Sequence, residues 1–239
     1  MSSQKSVRPE AGPEKEGGLI RRWWRWFSRP SARVALGTLL TTGIVIGVLG
    51  WGGFNWALEL TNTENFCISC HEMKQNVFVE YRNTAHYNNR SGVRASCPDC
   101  HVPKEWVHKV VRKVRATNEL YHHVLGSVST PEKFNEKRLQ LALNEWARMK
   151  TTDSHECRNC HNYQFMDYSV QEPHASKTHQ TALTAGKTCI DCHRGIAHKL
   201  PPNANEAYQK LTESMEKGEQ KILTDYLDTL AKASRTAAK

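Results

Sequence analysis

"CISCHEM" (67–73) sets two thiols three positions apart and follows the second at once with a histidine. The same CxxCH unit returns as "CPDCH" (97–101), "CRNCH" (157–161) and "CIDCH" (189–193), and the four absorb all eight cysteines of the 239-residue chain. Two thiols at this spacing add to the vinyl groups of a haem, and the adjacent histidine ligates the iron. With 12 histidines in the chain, chance would place one after all four pairs with a probability on the order of 10⁻⁵. Cys₄ zinc sites would use the thiols and leave the histidines unexplained, and disulfides would do the same. The pattern therefore predicts four covalently attached c-type haems. Cys67 and Cys70, Cys97 and Cys100, Cys157 and Cys160, and Cys189 and Cys192 are the attachment thiols, followed by the iron-ligand candidates His71, His101, His161 and His193.

The spacing adds an organisation. Cys67 to Cys97 is 30 residues, Cys97 to Cys157 is 60, and Cys157 to Cys189 is 32, which reads as two dihaem repeats with a longer connection. His86 lies 11 residues before Cys97 and His179 lies 10 before Cys189, so each repeat offers a spare histidine at almost the same place. A low-spin electron-transfer haem takes a second axial ligand, commonly another imidazole, and the repeat makes His86 and His179 candidates. His198, five residues after His193 in "CHRGIAH", is too close to reach around its own haem and is expected to serve another. His122 and His123 are adjacent on a helix, so at most one faces a given iron; His155 is expected to act locally, and His108 and His174 are reserves. Met73 has no counterpart in the other three motifs, which continue "CHVP", "CHNY" and "CHRG". It either packs against a porphyrin edge as adaptable filler or offers the iron a thioether. The second reading is favoured.

From Val34 to Leu58 there is no charged residue in 25 positions, a run of roughly 37 Å as a helix and enough to span a bilayer with some tilt. It is longer than a signal peptide's apolar stretch and ends in "GGFNWALEL" rather than a small-residue cleavage site. Arg21, Arg22, Arg25, Arg29 and Arg33 precede it, and Glu59 and Glu64 follow. Basic flanks stay cytoplasmic, so a single-pass inner-membrane protein with its N-terminus inside and its haem domain in the periplasm is expected. Trp23, Trp24 and Trp26 on one side and Trp51, Phe54 and Trp56 on the other suit two aromatic belts. Gly43 and Gly47 form a GxxxG that could pair two copies.

The formal charge of +9 does not indicate nucleic acid. Residues 1–33 hold eight Lys/Arg against three Glu, so +5 precedes the span and +4 is left for the rest. Eight propionates on four haems would turn that part acidic. The expected organisation is a basic N-terminus (1–33), a transmembrane anchor (34–58), a tetrahaem domain (59–202) and an amphipathic helical tail (203–239). The fold class is mainly α and loop-rich. "KEWVHKVVRKVRATNELYHHVLG" (104–126) has helical spacing, and Thr130 and Pro131 are an N-cap and first helical residue for the next helix. The tail carries Tyr208, Leu211, Met215, Ile222 and Tyr226 on a stripe interrupted by Gly218, suited to docking on the core or on a partner. A region this poor in apolar residues is expected to rely on haem for much of its buried surface.

With the anchor and four motifs in hand, the chain resembles the NapC/NirT/NrfH family of membrane-anchored tetrahaem quinol dehydrogenases, its NapC branch most closely. The resemblance covers roughly residues 20–200 and rests on "CISCHEM", "HYNNRSGVRASCPDCHVPKEW" and "KTCIDCHRGIAH". The tail beyond Pro202 has no CxxCH, unlike pentahaem relatives. The resemblance implies oxidation of membrane quinol and electron transfer to a periplasmic reductase, with nitrate reductase favoured for this branch. It also implies that His86 serves the third haem, His198 the second and His179 the fourth, and that Met73 replaces His71 at the first. Lys113 and Glu119 are the nearest counterparts of the family's quinol-site lysine and acid, the latter an Asp in the family pattern. Lys113 would orient the quinol oxygen and Glu119 take a proton. A reductase acting on substrate itself and a passive carrier are the competing classes, together with a donor to nitrite or another reductase.

Overall fold

A computed structural model describes residues 18–27 and 34–237. Among them are seven helices of nine or more residues and no strand: α1 (Leu19–Phe27), α2 (Leu36–Leu60), α3 (Trp106–Val124), α4 (Pro131–Thr151), α5 (Pro173–Thr184), α6 (Ala204–Lys217) and α7 (Gln220–Ala237). Short helical turns carry the motifs: Glu64–Cys67, Cys97–His101, His155–Arg158 and Cys189–Cys192. The mainly α, loop-rich class expected from the sequence is the observed one. The chain divides into two compact units, residues 1–54 and 55–239.

In the first unit α2 begins two residues after the expected span and is long and apolar enough to cross a membrane; none of its apolar window is buried. Arg29, Arg33 and residues 1–17 of the basic N-terminus lie outside the described residues.

The second unit is built around α4. Its start is as read from the sequence: the Thr130 side chain accepts from the Lys133 N–H, and Pro131 opens the helix where no amide partner is needed. The second motif of each pair also shares a cap. The Ser96 and Thr188 amides donate to Asp99 and Asp191, the third residues of "CPDCH" and "CIDCH", so both motifs open with a capping box.

The apolar core is small. Leu143 and Trp146 of α4 pack with Ile190 of the fourth motif and with Ala204, Ala207, Tyr208 and Leu211 of α6, while Leu223, Tyr226 and Leu227 of α7 close over them. Gly218, at φ +68°, takes the left-handed conformation that ends α6 and lets α7 fold back. Of the alternatives open for the tail, docking on the core is the one observed.

Candidate haem centres

An imidazole nitrogen bonds a transition metal at about 2 Å, so two imidazoles on opposite sides of one iron have ring centres roughly 6 Å apart. Four histidine pairs among the described residues meet that figure, three of them outside the first motif. His86 faces His161 at 6.2 Å between ring centroids, His198 faces His101 at 6.2 Å, and His179 faces His193 at 5.9 Å. Each pair joins one motif histidine to one spare, and these are the three pairs implied by the resemblance. The spacing fits an iron between the rings.

The surroundings suit ligation as well. His101 Nδ1 is 2.9 Å from Glu145 Oε1, and Arg148 grips the same carboxylate at 2.7 Å. His179 Nδ1 is 2.7 Å from the Gln171 side-chain oxygen. A hydrogen bond at Nδ1 fixes ring orientation and leaves Nε2 for a metal. Burial first, then the facing imidazole, lowers the pKa of His86, His193 and His198, the last to about 4. These rings are neutral donors at pH 7, the form a metal binds. The Val77 backbone, a hydrogen-bond partner of the buried His198 ring, opposes that downward shift without reversing it.

The first motif differs. His71 Nε2, the usual iron-binding atom, donates instead to the Ser129 carbonyl at 2.9 Å. Met73 is half-buried and opens a π-helical turn, Met73–Val77, a local widening that is frequent at functional sites. Between them Glu72 is only 3% exposed and accepts from His123 Nδ1 at 2.8 Å. His123 also faces His71 at 6.1 Å, tilted by 57°, whereas His122 turns to Ser127. His155 pairs with Glu105, beside the second motif, rather than only with its own turn. His123 is the residue that sequence reasoning left undecided. The rotation of α3 makes the choice, and periodicity around two adjacent histidines carries no signal for it.

The motifs approach one another through their first cysteines: Cys67 and Cys97 influence each other's ionisation, as do Cys157 and Cys189.

Comparison with known proteins follows the same line. The chain matches the NapC/NirT cytochrome c family, N-terminal region, over residues 29–203. The chain belongs to the NapC/NirT cytochrome c family. It is 57% identical over 188 residues to the cytochrome c-type protein NapC of Escherichia coli K12, covering 79% of this chain and 94% of that protein. It is 53% identical over 197 residues to the denitrification system component NirT of Stutzerimonas stutzeri, covering 82% and 96%. The cytochrome c-type protein TorC of Escherichia coli K12 is 45% identical over 183 residues, which are 76% of this chain and 47% of TorC. No solved structure matches the chain. Membership of the NapC/NirT family makes this a membrane-anchored electron-transfer cytochrome with covalently bound c-type haem. The tail helices α6 and α7 lie beyond the stretch that matches the family.

Within this NapC/NirT chain, three contacts tie α3 to the end of α2 and the residue after it: Trp106 Nε1 to Asn55 at 2.9 Å, Lys109 to Glu59 at 2.6 Å, and Lys113 Nζ to the Thr61 carbonyl at 2.6 Å. Burial lowers the pKa of Lys113. The charges of Lys113 and Glu119 both reach the Cys67 thiol. The Glu119 carboxylate, 63% exposed, is held by Arg112 at 2.8 Å. The structure thus brings Lys113 to the first motif, while Glu119 is engaged by a different cation.

Proposed function

We propose that this cytochrome oxidises membrane quinol and passes the electrons to a periplasmic reductase, with nitrate reductase the favoured acceptor. The observation that carries the reading is the position of Lys113. It is a partly buried cation bonded to Thr61, the residue after α2, and its charge reaches the first haem motif.

The residues divide the work. The eight CxxCH thiols would hold four haems, with His101 and His198, His161 and His86, and His193 and His179 as the imidazole pairs of the second, third and fourth sites; a haem held there would supply one-electron chemistry. At the first site, the bond from His71 to Ser129 supports Met73 as the iron ligand in its place. Quinol oxidation also releases two protons. Lys113 orients the quinol oxygen by donating to it. Glu119, exposed at the same motif, takes a proton once Arg112 yields it. The arginine-rich flank keeps residues 1–33 cytoplasmic and the haem domain (59–202) periplasmic on an inner-membrane anchor (34–58), with the tail (203–239) docked on the haem domain. Gly43 and Gly47, with open space about them, offer a helix face for pairing two copies.

Reduction of the full-length holoprotein by a quinol analogue in detergent tests this function. Lys113→Gln should slow haem reduction about tenfold or more at matched haem content, the scale of losing one catalytic hydrogen bond. An unchanged rate would remove Lys113 from the site. Haem reduction by quinol followed by reoxidation with purified nitrate reductase, and not with nitrite reductase, would support the favoured acceptor.

A further inference from the structure

His198 sits on a stretch without regular structure between Cys192 and α6, so something other than a helix has to hold it. Two side chains do. Glu80, on the short turn Phe78–Tyr81, accepts the Lys199 N–H at 2.9 Å. Arg138 of α4 donates to the Lys199 carbonyl at 3.2 Å. The two bracketing groups are themselves joined by a two-pronged ion pair, at 2.8 and 2.9 Å, with the side chains only 12% and 13% exposed. Arg138 is further fixed by Asn135 at 3.0 Å and by the Phe134 ring, 5.3 Å from its guanidinium carbon. The bracket therefore grips both backbone polar groups of the residue next to His198, including the N–H of the peptide that joins them.

An ion pair with no further role would use its spare lone pairs and protons on water. Here they go to one residue of an irregular segment, 119 positions along the chain from Glu80 and 61 from Arg138. Partners that orient a ligating histidine from one step away control how well it binds and how the metal behaves. We propose that Glu80 and Arg138 are a positioning pair that sets His198 against His101 at the second haem site. Because Glu80 follows the first motif directly while His198 follows the fourth, the pair ties the geometry of the second site to both ends of the haem domain. The inference rests on His198 being the second-haem ligand proposed above.

The test uses the full-length holoprotein and does not depend on turnover. Glu80→Ala and Arg138→Ala should each alter the electron paramagnetic resonance signature of one haem, with loss of its low-spin signal or displaced g values. Each should also shift the midpoint potential of that haem alone in a spectroelectrochemical titration. Glu80→Gln, which keeps an acceptor for the Lys199 N–H, should restore most of the wild-type spectrum. His198→Ala should alter the same haem more severely. Altered His198→Ala beside unchanged spectra and potentials in both alanine variants would overturn the proposal even if their melting temperatures fell. An unchanged His198→Ala would instead overturn the ligand reading, and the proposal with it.

Discussion

At the fourth haem motif Ile190 is packed into the apolar core, its N–H donates to the buried Ser154 hydroxyl at 3.1 Å, and Asp191 accepts from Lys150, Tyr208 and Thr188 at 2.7 to 3.0 Å. Arg194, next to the motif histidine, stacks on Tyr208 with its guanidinium carbon 4.0 Å from the ring centre. The first motif is held differently, by polar contacts: His71 donates to the Ser129 carbonyl, Glu72 accepts from His123, and Met73 opens a π-turn. The buried group there is a carboxylate, Glu72, rather than an apolar side chain. The same five-residue chemistry is thus held against an apolar core at the fourth motif and by polar contacts at the first. An electron-transfer haem needs rigid ligands and little else. A site that meets a substrate and releases protons needs polar groups and room. The difference in packing is the one that the proposed division of work calls for.

Removing the clamp should separate the two ends most clearly. A chain ending at Pro202 loses α6 and α7, and with them most of the apolar core. Hydrogen exchange should then rise strongly at residues 140–155 and 188–198 while the segment around 64–82 keeps its protection; uniform loosening would erase the distinction. Next in size, Trp146→Ala should cost about 3–5 kcal/mol, read as a lower melting temperature of the holoprotein. Asp191→Asn should have a smaller effect, and one that depends on pH. Burial by itself would raise the Asp191 pKa, but hydrogen bonds from Lys150, Tyr208 and Thr188 outweigh it and hold the carboxyl well below the usual range. A group depressed in the folded state stabilises fully above its unfolded value of about 3.9 and loses that contribution as pH falls toward the folded value. The gap in melting temperature between wild type and Asp191→Asn should therefore be constant from pH 7 to about 5 and close below about 4. Smallest of all, His71→Ala should change stability by less than about 1 kcal/mol, since its side chain is half exposed. A large loss there would mean that the first motif is clamped after all.

Much of this was legible in the sequence, for identifiable reasons. The CxxCH units are local, so spacing alone exposes them. Duplication supplied His86 and His179, because a spare histidine recurring before each second motif stands out from the background. Thr130 and Pro131 announced α4 through cap chemistry that needs no tertiary partner. Two things were out of reach. Which of His122 and His123 turns toward the first motif depends on the rotation of α3, fixed by the ties of Trp106, Lys109 and Lys113 to residues 55–61. What the tail stripe packs against depends on Leu143, Trp146 and Ile190, two of them over 40 residues away from the third and none marked by its own local pattern. The apolar shortage anticipated from composition is real across most of the haem domain, and the tail relieves it only beside the fourth motif.

The thiol pairs carry a consequence for biogenesis. In an oxidising compartment two neighbouring thiols are one oxidation step from a disulfide, and Cys67 with Cys97, or Cys157 with Cys189, would link through the first cysteines of two motifs. Each such bond would remove an attachment point from two motifs at once. The folded arrangement that brings neighbouring haem sites together is thus hazardous to a chain that reaches it bare. Thioether formation has to come before closure, which makes the order of maturation part of what the fold requires.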